Sequence, residues 1–205
     1  DGKALAVHLT WHRKPLLVLI THLPHDEPSQ QQFYINVMEA LTKAYKTKDA
    51  KHPEDYHPDG HPPANREVVW MADHNWVYDP DIDCQPPRSA SDRPLARAGR
   101  AALEAYLRAT QDVYRTLHPT GTQGTRTVPA RAEKVLAGGR VQHAAEESTR
   151  RLDAINVTPS LLTNNHRIVR VQHIPPEHFM VSYKRNGGQG NVTKVADHSI
   201  IRLTY

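Results

Sequence analysis

The chain has 205 residues, a formal charge of +4 (26 Lys and Arg against 22 Asp and Glu), 38% hydrophobic residues and one cysteine, Cys84. That length bounds a single domain with a sizeable core, and a lone cysteine excludes an internal disulfide framework and agrees with a reducing, intracellular compartment. The longest apolar run, Leu16 to Ile20, is far too short to span a bilayer, while the mild positive charge permits a nucleic-acid partner without demanding one. The chain opens without a signal segment or an initiating Met, so it reads as a piece of a longer polypeptide.

In chain order, Ala4–Thr10 alternates loosely and Pro15–Thr21 is continuously apolar, which predicts a hairpin turning through His12-Arg13-Lys14. Ser29-Gln30-Gln31-Gln32 has capping-box spacing and opens a helix. Its stripe comprises Phe33, Val37 and Leu41 with Tyr34, Met38 and Tyr45. Residues 48–66, rich in Pro and His, read as a loop or insertion. Glu67–Ala72 reads as a buried strand, 79–94 as a connection, Ala98–Ala109 as a helix and Asp112–Leu117 as a short helical turn. Residues 119–149 are weakly patterned and read as a second loop or insertion. Arg150–Val157 alternates as a strand, Pro159 suits the start of a short helix, and Ile168–Ile174 and Ser199–Tyr205 are strands around a Gly-rich loop at 183–191. Strands interleaved with helices, some in hairpin pairs, indicate an α/β or layered α+β fold.

Polar clusters at the ends of apolar strands carry the chemistry. Val68-Val69-Trp70-Met71-Ala72 runs into Asp73-His74-Asn75, and Asp197-His198 precedes the last strand. Unpaired polar groups at a buried rim cost about 1–3 kcal/mol each, so such clusters suggest strand ends converging on one polar site. A carboxylate at Asp73 can orient or deprotonate a water, and the Asn75 amide can hold a phosphoryl oxygen. In isolation, D-x-N is more commonly an Asx turn. An Asp bonded to a His fixes its tautomer and raises its basicity, which would suit Asp153 or Asp197 with His198. The bland alternative is a structural ion pair at Arg151 and a surface His. His22, after Leu16–Ile20, could donate to a phosphate oxygen from the same rim. No Cys/His spacing fits a structural zinc site, and no phosphate-binding glycine loop or nucleophile elbow is present.

Five ordered segments, THLPHD (21–26), VVWMADHNWVYDPDID (68–83), DVYRTLHP (112–119), RRLDAINVTPSLL (150–162) and ADHSII (196–201), resemble the endonuclease/exonuclease/phosphatase superfamily. The resemblance is closest to the endonuclease domains of non-LTR retrotransposons, and it spans nearly the whole chain. It implies a DNase I-like two-layer β-sandwich flanked by helices, of which 1–205 would be the C-terminal two-thirds. It also implies metal-dependent, in-line phosphodiester hydrolysis with Mg²⁺ (or Mn²⁺) and no covalent intermediate. Asp73 would activate the attacking water and Asn75 would contact the scissile phosphate. Asp153 would pair with His198, Asp197 would belong to the metal site, and His22 would hold a phosphate oxygen.

DNA is the implied partner, with segment 112–119 modestly favouring nucleic acid. No membrane partner is implied, and a reverse transcriptase in the same polypeptide would be expected, with a nuclear location. Lys184 and Arg185, beside Gly187–Gly190, would hang over the site as DNA contacts. Ala72, His74 and Ala196 depart from the family pattern, the first two beside Asp73, so a looser site is expected. The family's opening strands, with an Asn and a metal-binding Glu, have no counterpart here. Residues 1–205 alone are therefore expected to nick DNA little or not at all. Two other functions fit the same residues: a phosphatase or other phosphodiesterase of the superfamily, and a non-catalytic remnant that binds nucleic acid or protein.

Overall fold

The computed structural model describes residues 2–47, 56–62, 65–87, 93–128, 130, 132–135, 141–142, 147–163, 170–174, 180–183, 191–194 and 200–204. β1 (Lys3–Trp11) and β2 (Lys14–His22) form the expected hairpin. Its two-residue turn puts His12 and Arg13 at φ 48° and 63°, the left-handed pair that matches strand twist. α1 follows at Glu27–Lys46. Ser29 does not cap it. Asp26 does, accepting the Ser29 N–H at 3.0 Å. Pro28 stands in the first turn, where no N–H is needed, so the helix begins ahead of the start that the capping-box spacing implies.

β3 (Glu67–Asp73) runs parallel to β2. The connection expected over 79–94 contains a short α2 (Pro80–Asp83) and β4 (Cys84–Gln85). α3 (Pro94–Tyr106) starts before Ala98 because Glu27 Oε1, from α1, accepts the Leu95 N–H at 2.8 Å. It ends early because Arg108 and Ala109 turn to positive φ (70° and 54°). β5 (Gln111–Asp112) leads into α4 (Val113–Leu117), capped by Asp112. Residues 119–149, expected as loop, include β6 (Arg126–Val128), β7 (Lys134–Val135), β8 (Val141–Gln142) and β9 (Ser148–Arg150).

The strand expected over Arg150–Val157 is broken. After β9, Arg151 and Leu152 leave the ladder, with the Arg151 N–H on the Asp83 carbonyl and the Leu152 carbonyl taking the His74 N–H. β10 (Asp153–Val157) then resumes. α5 (Ser160–Thr163), β11 (Arg170–Ile174), β12 (Met180–Tyr183), β13 (Asn191–Lys194) and β14 (Ile200–Thr204) complete the described elements. The β12–β13 pair flanks the Gly-rich stretch, where the sequence pattern alone signals no strands.

The main sheet has the order β1-β2-β3-β10-β5, and β4-β9-β6 form a second one. Side-chain alternation gives the main sheet two faces. Leu17, Leu19, Val68, Trp70 and Ala72 point to the face covered by α1 and α3, packing with Tyr34, Val37, Leu41, Tyr45, Leu103 and Leu107. Fully burying one such Leu or Val contributes about 1.5–3 kcal/mol. α1 and α3 approach closely at Gly99, where a Cβ would come 2.7 Å from the Tyr34 ring. On the other face Ile155 and Val157 pack with Val113, Tyr114 and Leu161, whereas Leu5 and Leu9 of the edge strand β1 stay 56% and 49% exposed. No helix among the described residues is long and apolar enough to cross a membrane.

Candidate active site at the sheet rim

The register of three strands builds the site. His22 stands opposite Asp73 across the parallel β2–β3 pair, and Asp153 stands opposite Asp73 across the antiparallel β10–β3 pair. Directly opposed residues share a face, with Cβ atoms about 4.5–5.5 Å apart, so an imidazole and two carboxylates form one rank at one end of the sheet. They lie on the face away from α1 and α3. The His22 Nε2 is 3.6 Å from Asp73 Oδ2, and the two side chains are 53% and 17% exposed. Two carboxylates set directly opposite repel, so this rank is arranged to receive positive charge or a polar reactant.

Asn75 does not continue the strand. It adopts φ 52°, its N–H donates to Asp73 Oδ1 at 2.9 Å and its Nδ2 donates to the Leu23 carbonyl at 2.5 Å. The Asx turn, the ordinary fate of D-x-N, is therefore present, and it fixes the Asp73 carboxylate and ties the 22–26 loop to the rim. Leu23 N–H closes the same junction on the Asp73 carbonyl at 2.9 Å. Thr125, a buried residue that no sequence motif singles out, accepts the N–H groups of Leu152 and Asp153 at 3.0 and 3.1 Å. It reaches them because Gly124 lets its strand close on β9: a Cβ there would sit 2.9 Å from Thr149 Cβ and 3.0 Å from the Arg150 nitrogen.

Ala72 and His74, the two departures beside Asp73, are both packed. Ala72 is part of the core, and His74 is pinned between the rim and the helices. Its N–H donates to the Leu152 carbonyl at 2.8 Å, its carbonyl accepts from Gln30 Nε2 at 3.2 Å, and its Nδ1 lies 3.2 Å from Tyr34 Oη. Burial raises the Tyr34 hydroxyl far above its ordinary value, so that group remains the donor and Nδ1 the acceptor. Burial, with Arg100 and Arg151 adding to it, holds His74 well below its ordinary 6.5. Folded and unfolded chains both carry a neutral His74 above that value. Below it the unfolded chain takes up a proton that the folded one refuses, so stability is lost as pH falls. Unfolding by urea at several pH values should show a loss of up to about 1.4 kcal/mol per pH unit between roughly 6.5 and 5. His74→Gln should flatten that slope, and an unchanged slope would exclude His74 as its source.

Behind Asp153 lies a buried bracket of charges. Asp83, with a fully buried side chain, receives Arg151 Nε at 2.7 Å and Nη2 at 3.2 Å, and it also binds Arg115. Arg151 Nη1 reaches Asp112 Oδ2 at 2.6 Å, and Arg115 Nη1 donates to the Gly121 carbonyl at 2.6 Å. The segment 112–119 thus turns its Arg toward Asp83, and the bracket ties α2 to the start of β10. Arg151 fulfils the bland expectation of a structural ion pair. Its pKa is raised: burial acts to lower it, and Asp112 and Asp83 outweigh that.

His22, Asp73, Asn75 and Asp153 are therefore gathered at one rim. Asp197, His198, Lys184, Arg185 and Gly187–Gly190 lie outside the described residues. The carboxylate oxygens of the rim are of the type Mg²⁺ prefers. Among the described residues, however, no three acidic, His or Cys side chains lie close enough to hold a metal ion. The described rim does not by itself make a metal site.

No protein-family model and no curated protein matches the sequence. Among solved structures, an AP endonuclease from Archaeoglobus fulgidus aligns with a TM-score of 0.58 at 18% identity, over 98% of this chain and 64% of that one. TDP2 of D. rerio, complexed with a single-strand DNA product, aligns at 0.45 and 14% identity, over 98% and 60%. An endonuclease/exonuclease/phosphatase family protein from Bacteroides thetaiotaomicron aligns at 0.45 and 11%, over 98% and 54%. The likeness to the AP endonuclease shows a shared fold, and the chain spans less than two thirds of the length of each.

Proposed function

We propose that this chain, whose fold is the DNase I-like fold of the endonuclease/exonuclease/phosphatase superfamily, supplies the rim of a DNA endonuclease of the non-LTR retrotransposon type. The observation that supports hydrolytic chemistry is the rank His22–Asp73–Asp153, set by strand register at one end of the sheet. Asp73 accepts a proton from a water as the water oxygen bonds to phosphorus. The opposite P–O bond breaks, and the departing alkoxide takes a proton from solvent. His22 donates to a phosphate oxygen, Asn75 contacts the scissile phosphate, and its backbone N–H holds the Asp73 carboxylate in place. Asp197 and His198 keep the roles the resemblance gives them, in metal binding and transition-state stabilisation. Mg²⁺ or Mn²⁺ enters this reading through Asp197.

The retrotransposon assignment rests on the order and spacing of the five motifs, and the nuclear location follows from it. The encoding reading frame tests it: a reverse transcriptase segment in the same frame is expected, and a frame that encodes an unrelated enzyme would contradict it. Substrate choice separates the competing enzymes. Residues 1–205 in their natural sequence context should nick supercoiled plasmid in millimolar Mg²⁺ and release little phosphate from sugar phosphates. The reverse preference would make the protein a phosphatase, and turnover of neither would favour the non-catalytic remnant.

A further inference from the structure

The loop that leaves the rim after Asp73 brings Tyr78 to the surface, 42% exposed. Arg100 supports its ring from beneath, with the guanidinium carbon 4.4 Å from the centroid. Arg100 is itself buried, held by Glu104 at 2.7 Å and Asn156 at 3.2 Å. Arg97, exposed on α3, lies 5.7 Å from the same centroid and donates to the Tyr78 carbonyl at 3.5 Å. Arg93, at the start of α3, donates to the His25 carbonyl at 3.1 Å. His25 is exposed and belongs to the loop whose Leu23 carbonyl binds Asn75.

An ordinary surface Arg finds a carboxylate or only water. Here Arg93 and Arg97 make their bonds to carbonyls and an amide oxygen, which leave their positive charge intact, and neither has a carboxylate partner among the described residues. A half-exposed aromatic ring that rests on Arg100 and is tilted against Trp76 at 5.6 Å, with two guanidiniums beside it that have no carboxylate partner among the described residues, suits a ligand that alternates flat rings with phosphates. A phosphomonoester or a lipid headgroup has no ring to use Tyr78.

We propose that Tyr78, Arg97 and Arg93 form a shelf for single-stranded or unpaired nucleic acid, with one base stacked on Tyr78 and flanking phosphates on the two arginines. The shelf rests on the reading of the rim as a nucleic-acid hydrolase.

Binding of a fluorescein-labelled single-stranded oligodeoxynucleotide of about twelve nucleotides, followed by anisotropy without divalent cations, tests the shelf separately from catalysis. Tyr78→Leu should weaken binding by about fivefold to a hundredfold, and Tyr78→Phe should bind as the wild type does. The double variant Arg93→Gln/Arg97→Gln should lower the slope of log affinity against log salt by about 1.4, or about 0.7 for each phosphate left without its arginine. Thermal unfolding of each variant checks that the fold is kept. Wild-type binding and salt slope in both Tyr78→Leu and the double variant would overturn the shelf and leave the nuclease reading standing. Equal weakening in Tyr78→Phe and Tyr78→Leu would overturn stacking as its basis. No salt-dependent binding by the wild type would overturn the shelf and the nucleic-acid reading together.

Discussion

Arg151→Ala should cost about 3–5 kcal/mol, a large fraction of the total stability of a domain, about 5–15 kcal/mol. Arg151 is 3% exposed and Asp83 is fully buried, and they meet through two hydrogen bonds of 2.7 and 3.2 Å. Removing the guanidinium leaves Asp83 with Arg115 alone and strips Asp112 of its partner at 2.6 Å. The penalty is the uncompensated burial of charge, which exceeds what the pair contributes over a well-packed apolar replacement. Urea unfolding followed by tryptophan fluorescence measures it. A destabilisation below about 1 kcal/mol, the range of exposed ion pairs, would show that the bracket is solvated. Because Arg151 stands two residues before Asp153, partial disruption of the bracket should also displace the rim.

Asp73→Ala should behave oppositely. Phosphodiester hydrolysis is expected to fall by about 10²–10⁴-fold, the range for removing a general base. Stability should change by less than about 1 kcal/mol, because relief of the repulsion between opposed carboxylates is offset by loss of the bond from the Asn75 N–H. A residue whose loss removes activity and leaves stability nearly unchanged is marked as a functional position. Initial rates together with unfolding curves for the same variant check both halves. A variant as active as wild type, or one that loses activity only through unfolding, would remove Asp73 from the chemistry.

Local periodicity makes some of this legible in the sequence, and the rest is hidden for physical reasons. The β1–β2 hairpin, the apolar face of α1 and the buried β3 are readable because each is written in neighbouring residues, and polar residues at the ends of apolar runs point to the rim. The start of α3 is not readable, since its first turn is capped by Glu27 from another helix. The break between β9 and β10 is hidden because Arg151 and Leu152 take their partners from Asp83 and His74, far away in sequence. Thr125 carries no local signal: a threonine in a weakly patterned stretch becomes the acceptor for two rim amides only after the strands are in place. The segment 112–119 announces an Arg and a His, and only packing shows that Arg115 faces inward to Asp83.

The central claim is that opposed residues on three strands act as one hydrolytic unit. It is tested most directly by a cycle of Asp73→Ala and Asp153→Ala in a polypeptide carrying residues 1–205 in their natural sequence context, measured by Mg²⁺-supported nicking of supercoiled plasmid. Groups that act together lose their function together, so each single variant should be severely impaired and the double variant should be no more than about threefold slower than the worse single. Multiplying losses, or wild-type nicking by either single variant, would contradict a shared site on that rim.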